Sequence, residues 1–266
     1  MLRKVLFTLM TLTWLGASAG LSIFNKKDKK PEVSLVEYIE SKAADTPDQV
    51  DGVKIFLPGA ADGDEKTIWI KGSLPLKGNS AMQAFAAAFI AAPGMINPET
   101  DEISDLNVDD RSFVVNRVVR QGEYAGSQTF RYPTLFSFED GKMNFTSYDI
   151  LVEYKEKGIL PRKIDISKLK PATNSRHAEL LDSITLCNSR FVDNMQKAIL
   201  NADKITITHW PEIKEGRVVK GMNPAEVRMI GGMPRSENKT GNRIQWMFSN
   251  DFIVIFKNGV VVKVLQ

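Results

Sequence analysis

Apolar residues recur along this chain with two periods, and the changes of period mark out its elements. At 80–92 the run Ser-Ala-Met-Gln-Ala-Phe-Ala-Ala-Ala-Phe-Ile-Ala-Ala is rich in helix formers, with Met82, Phe85 and Phe89 on one face. Asn79 or Ser80 caps it, and Pro93-Gly94 stops it. At 175–200, Leu180, Leu181, Ile184, Cys187, Phe191, Met195 and Ile199 recur mainly at helical spacing. That stripe predicts the longest helical segment, as one helix or a broken pair, laid on a sheet. A shorter helix is expected at 34–40, with Ser34 as N-cap and Glu37 at the capping-box position.

Elsewhere the period falls to two. A strand at 53–57, ended by Pro58-Gly59, is expected to pair with one at 67–74 across an acidic turn. Further strands fall at 112–119, 129–138 and 142–152. Phe136 and Phe138 alternate with Ser137, and Met143 and Phe145 with Asn144, so one sheet face is buried. Glu139-Asp140-Gly141 between them signals a hairpin.

The C-terminal residues hold a second set of signals. Gly221 suits a backbone conformation that other residues resist. Asn223 then caps a short helix with Pro224 first and Glu226 third, Val227 and Ile230 facing a sheet. Gly232 ends that helix in the left-handed conformation, and Pro234 prevents its continuation. Trp246 covers the helix from a first strand. The last hairpin, 251–264, turns at Asn258-Gly259, a type I′ signal. The pattern therefore predicts an α+β chain: a signal peptide at 1–19, a tether and linker at 20–50, a sheet-and-helix domain at 51–200, and a small helix-plus-three-stranded-sheet domain at 201–266.

The helix, the strand meander with Phe136-Ser137-Phe138-Glu139-Asp140-Gly141-Lys142, and the closing helix resemble a secreted Bacteroidetes domain family with a TATA-binding-protein-like (TBP-like) fold. The resemblance spans 51–200 and implies a curved antiparallel sheet backed by helices. It implies nothing about DNA, since the name describes shape. The order Gly221-Met222-Asn223-Pro224, Gly232-Met233-Pro234, Trp246 and a final hairpin resembles the SmpA/OmlA-type outer-membrane assembly lipoproteins, a domain shaped like the β-lactamase inhibitor proteins. That likeness implies protein binding.

Export is expected from the first residues. Arg3 and Lys4 precede an apolar run at 5–16, and Ala17-Ser18-Ala19 fits a cleavage site after Ala19. The uncharged stretch 5–24 offers the rival reading of an uncleaved anchor, the one route to membrane association. No Cys follows the leader, so no lipid anchor is expected, a departure from the lipoprotein pattern. Lys-rich 25–31 reads as a tether. Of 35 basic residues, those left without Arg3 and Lys4 number 33 against 32 acidic, which provides no electrostatic platform for nucleic acid.

Candidate chemistry is sparse. His177 and His209 lack the neighbours of a zinc site. The single cysteine, Cys187, lies in the apolar stripe and reads as a buried small hydrophobe. Gly231-Gly232 matches no phosphate loop. The acidic pairs Asp101-Glu102, Asp109-Asp110 and Glu139-Asp140 splay apart, and a Ca²⁺ loop at 105–109 lacks the glycine and distal glutamate it needs. The basic segment 154–170 reads as a solvated connection. No catalytic residue, metal or cofactor is expected. Met222 and Trp246 are the candidate partner contacts, Met222 because its side chain adapts to irregular surfaces. The expectation is a non-catalytic periplasmic or envelope protein that binds other envelope proteins, in outer-membrane assembly or scaffolding. The alternatives are an inhibitor-like module and a ligand-binding envelope protein.

Overall fold

Three helices start on the same device. Ser34, Ser80 and Asn223 each accept a hydrogen bond from the backbone N–H three residues on, and Glu37, Gln83 and Glu226 return the bond to the cap residue. They open α1 (Leu35–Ala43), α2 (Ala81–Ala91) and, in chain order, α5 (Pro224–Gly231). Between them lie α3 (Ser175–Asn201), a single unbroken helix capped by Asn174, and the short α4 (Trp210–Lys214). The computed structural model describes residues 33–61, 64–122, 127–155, 160–203, 205–249 and 251–266. The expected signal peptide and Lys-rich tether lie outside them. Val33–Gln266 forms one compact unit.

The larger sheet contains β3 (Pro58–Ala61), β4 (Asp64–Pro75), β5 (Glu102–Asn107), β6 (Ser112–Gln121), β7 (Gln128–Glu139), β8 (Lys142–Ser147), β9 (Leu151–Tyr154) and β10 (Arg162–Asp165), all antiparallel. A separate hairpin, β1 (Gln49–Val50) with β2 (Val53–Lys54), precedes it. The strand β7 organises the sheet. One edge pairs with β6 over its whole length; the other pairs first with β9, through Gln128 to Arg131, and then with β8, through Thr134 to Glu139. Pro133 sits at that changeover. Its carbonyl accepts from the Tyr148 N–H, and because N and C=O of one strand residue point the same way, its missing donor faces the gap.

Two expected strands differ from those observed. Residues 55–57 are not strand; Pro58 and Gly59 begin β3, paired with Ile70 and Trp69. An edge strand tolerates proline at its first position, and Phe56 turns into the core with its N–H on Ser189 Oγ at 3.1 Å. The run 142–152 divides into β8 and β9 around Asp149, whose φ is +47°.

Gly72 makes this arrangement possible. A Cβ there would lie 2.3 Å from the Phe56 ring and 3.0 Å from Phe145, two rings packed edge-to-face at 4.8 Å. Gly72→Ala is therefore expected to lower stability by about 1–3 kcal/mol through overpacking, read as the shift of the urea midpoint at unchanged slope.

Helix α3 crosses the sheet on Leu180, Ile184, Phe191, Val192, Met195 and Ile199. One polar group fixes its register: buried Asn188 donates through Nδ2 to Ser147 Oγ at 2.9 Å, and Ser147 shares a 2.7 Å hydrogen bond with Thr134 across β7 and β8. Helix α2 is buried nearly all round, with Phe85 inaccessible and the expected partners Met82 and Phe89 half-buried. Asp140, in the β7–β8 turn, accepts from the Ala81 N–H at 2.8 Å and ties that turn to the start of α2.

The C-terminal sheet has four strands in the order β11 (Ser236–Thr240), β12 (Arg243–Met247), β13 (Ile253–Lys257), β14 (Val260–Leu265). The strand absent from the sequence reading is β11, Ser-Glu-Asn-Lys-Thr, exposed throughout and without alternation to read. Asn258 and Gly259 have φ of +52° and +78°, as the type I′ turn requires. Gly221 takes φ +92° and donates to the Val261 carbonyl, joining the α5 entrance to β14. Gly232 does close α5 with positive φ, but its ψ of −146° lies outside the left-handed helical well, in a region essentially restricted to glycine. Val227 faces the sheet as expected, with Met229 the more buried partner and Ile230 half-buried. The regions 51–200 and 201–266 share a continuous core: Phe85 lies 6.3 Å from Phe113 and stacks at 6.2 Å on Trp210, while α2 packs on α5.

Candidate functional site

The most apolar recess lies between α1 and α3. Helix α1 buries Leu35 and Ile39, which leaves Tyr38 and Lys42 beside a cleft. The chain then turns through the β1–β2 hairpin and brings Leu57 to the opposite wall; α3 supplies Leu181, Asp182 and Leu186. The cleft measures about 370 Å³, near the lower end of the 300–1,000 Å³ typical of binding pockets. Thr185 at its floor is satisfied, its hydroxyl donating to the Leu181 carbonyl at 2.7 Å. Polar character is left to the rim. Loss of hydration pushes the Asp182 carboxyl above its ordinary value, with Lys42 pulling the other way. This arrangement can accept apolar groups and orient a polar one; it brings no nucleophile beside a base.

A second recess opens on the other edge of the α3 stripe, lined by Arg117 of β6 and by Cys187, Arg190 and Asn194 of α3. Cys187 is half-buried at the edge of the stripe, where the sequence reading has it fully buried. Gln121 Nε2 donates to its sulfur at 2.6 Å, and burial pushes its thiol up, so it stays protonated at neutral pH.

Both candidate partner contacts are in the core. Met222 is 0% exposed, its sulfur accepting from the Val219 N–H at 3.4 Å. Trp246 is 3% exposed, donates through Nε1 to Glu237 at 2.7 Å, and lies under the Arg228 guanidinium at 5.0 Å. Neither presents its side chain to a partner, because the α5–sheet packing consumes both.

The two histidines are structural fasteners. The Lys170 N–H donates to His177 Nδ1 at 3.0 Å, which leaves the proton on Nε2, 2.9 Å from Tyr154 Oη. His209 caps the start of α4, and its Nδ1 meets the buried Glu226 carboxylate at 3.0 Å. At 105–109 the Lys214 ammonium sits on Asp109 and supplies the positive charge that a cation would bring. Among the described residues, no group of three or more His, Cys, Asp or Glu is placed to hold a metal ion. Of the basic segment, Arg162 and Lys163 lie exposed on β10. No helix of the described residues is long and apolar enough to cross a membrane.

Among the described residues, these features define an α+β protein with two larger antiparallel sheets and a separate hairpin, a shared core and two recesses flanking one long helix. No protein-family model and no curated protein matches the chain. Among solved structures it is similar to a TBP-like protein from Parabacteroides distasonis, with 11% identity and a TM-score of 0.46 over 52% of this chain and 96% of that one. It is also similar to a DUF4468 family protein from Bacteroides ovatus, with 12% identity and a TM-score of 0.40 over 61% of this chain and 99% of that one.

Proposed function

We propose that this is an exported, non-catalytic binding protein of the cell envelope, whose α1–α3 cleft receives an apolar segment of a partner protein. The cleft carries this reading: an apolar hollow sized for one or two large side chains, rimmed by Lys42 and Asp182. Anchor side chains seated in such hollows supply most of the energy of protein interfaces. Export rests on the leader pattern at 1–19. Kinship of 51–200 with the TBP-like Bacteroidetes family, and of 201–266 with the SmpA/OmlA-type domain, belongs to the same proposal. So does a role in outer-membrane assembly or scaffolding; a helix leading into an antiparallel sheet supports the second kinship.

The test is cross-linking and affinity purification of the tagged protein from its own envelope, with Leu186→Glu alongside. Leu186 is half-buried on the cleft wall, so the substitution leaves the core intact. One dominant envelope protein is expected with the native chain, reduced at least about tenfold by a charge in the hollow. Equal recovery with the variant would sink the proposal. A second reading, a small amphipathic ligand in the same cleft, is favoured by Lys42 and Asp182, which can hold a polar head while the apolar wall takes the rest. Native mass spectrometry of the protein from its host would then show an added mass that Leu186→Glu abolishes.

A further inference from the structure

The recess between β6 and α3 is lined by two arginines, and the fold leaves one of their buried nitrogens without a hydrogen-bond partner. Its volume is about 420 Å³, and two of its lining residues are arginines with no acidic residue among the rest. Arg117 is only 15% exposed. Its guanidinium lies over the Phe191 ring, 3.9 Å from the centroid. The nearest carboxylate, Asp101, stands 3.7 Å from Arg117 Nε, and that nitrogen has no hydrogen-bond partner. Asp101 balances the charge of Arg117, but its hydrogen bonds come from elsewhere: Oδ1 accepts from the Val118 N–H at 2.8 Å and from the Thr100 hydroxyl, and Oδ2 from the Asn97 N–H at 3.2 Å.

The other neighbours bring no negative charge. Tyr132 meets Arg117 Nη1 at 3.5 Å, and burial pushes its phenol up to about 12. Cys187 stays a thiol for the same physical reason. Among the described residues, Arg190 is held by Asp51 at 3.2 Å, a pair exposed by 51% and 77% that water and salt weaken. The recess thus holds one guanidinium over Phe191 whose Nε has no hydrogen-bond partner, a second held by an exposed ion pair, the Asn194 amide, and an apolar wall of Met95, Val119 and Phe191.

We propose that this recess binds a small carboxylate with a short apolar chain, Arg117 and Arg190 holding the carboxylate and Met95 and Phe191 receiving the chain. Guanidinium matches carboxylate with two parallel N–H donors, and the contact with Phe191 restrains where Arg117 sits in advance. At about 3.6 residues per turn, Cys187, Phe191 and Asn194 project from the α3 edge opposite Leu181 and Asp182, with Leu186 and Arg190 neighbours on the face between. The two recesses share no lining residue.

The experiment titrates hexanoate into the purified protein and follows amide shifts by ¹H–¹⁵N NMR, with hexanol and inorganic phosphate as controls. Saturable shifts at Val119, Arg190 and Asn194 are expected with hexanoate, and weaker ones with either control. Arg117→Gln is expected to weaken hexanoate binding at least about tenfold, the loss of one charge-assisted pair. Arg190→Gln, at an exposed position that the fold does not need, is expected to weaken it several-fold. The proposal is overturned by any of three results: no saturable shift at these residues, phosphate matching hexanoate, or hexanoate binding unchanged in Arg190→Gln and in folded Arg117→Gln.

Discussion

Replacing Glu226 by glutamine is expected to cost about 3 kcal/mol of stability at neutral pH, and the deficit should shrink as the solution is acidified. Glu226 is fully buried, and its carboxylate is an assembly point. Oε1 accepts from the Thr208 N–H at 2.6 Å, the His209 N–H at 3.0 Å and the Thr208 hydroxyl; Oε2 accepts from the Asn223 N–H at 2.8 Å. The same group thus closes the α5 capping box and clamps 208–209, on the connection from α3. Glutamine fits the space, but whichever way its amide turns, an NH₂ meets a backbone N–H. Donors left facing donors in the interior cost roughly 1–3 kcal/mol each.

The sign of the pH effect follows from the folded carboxyl. Burial works to raise it, but the backbone donors of Thr208, Asn223 and His209, with the His209 side chain, outweigh burial and hold it below the ordinary 4.5. A carboxyl depressed on folding contributes its full stability above the unfolded value and loses it as pH falls through the folded one. Urea unfolding of both proteins from about pH 7 to about pH 3.5 should therefore show a gap that closes below about 4.5. A gap that stays constant into acid would mean that Glu226 acts by shape alone.

Glu226 also marks how far local signals reach. Its capping role was legible, because Asn223, Pro224 and Glu226 lie within one turn. The Ser34–Glu37 box and the Asn258-Gly259 turn were legible for the same reason. The clamp on Thr208 and His209 was not, since it depends on how a distant segment returns. The alternation of β7 identified a buried face but could not reveal that β8 and β9 share its second edge, and so where Pro133 is harmless. Pro58-Gly59 signals a stop in sequence and begins an edge strand in the structure, because pairing decides what an edge residue must donate. Neither recess had a sequence signal. Tyr38 and Leu186 come to line one cleft only in the folded chain, and Arg117 sits in a β-rich run where only packing turns it onto Phe191. Met222 and Trp246 were conspicuous for their motif, yet the packing they serve withdraws them from the surface.

Phe85→Ala is expected to destabilise the whole unit by about 3–5 kcal/mol, in the range for emptying a buried aromatic site. Its ring lies within 6.4 Å of Phe89, Phe113, Phe138 and Trp210. From Phe113 the column continues through Phe136, at 5.6 Å, to Phe191 of α3, at 5.7 Å. One side chain therefore stands between the large sheet, the long helix and the segment leading to the C-terminal sheet. The surrounding rings belong to four different elements and cannot all move in to fill the space, which places the cost toward the upper part of the range. Coupling is the sharper consequence. If the shared core makes 33–266 unfold together, protection against hydrogen exchange should fall by the same free energy in β7 and in β12–β13, although Phe85 touches neither β12 nor β13 in the aromatic column. Loss of protection confined to the large sheet would show that the C-terminal sheet opens on its own, with α2 and α5 a separable contact rather than the spine of one cooperative unit.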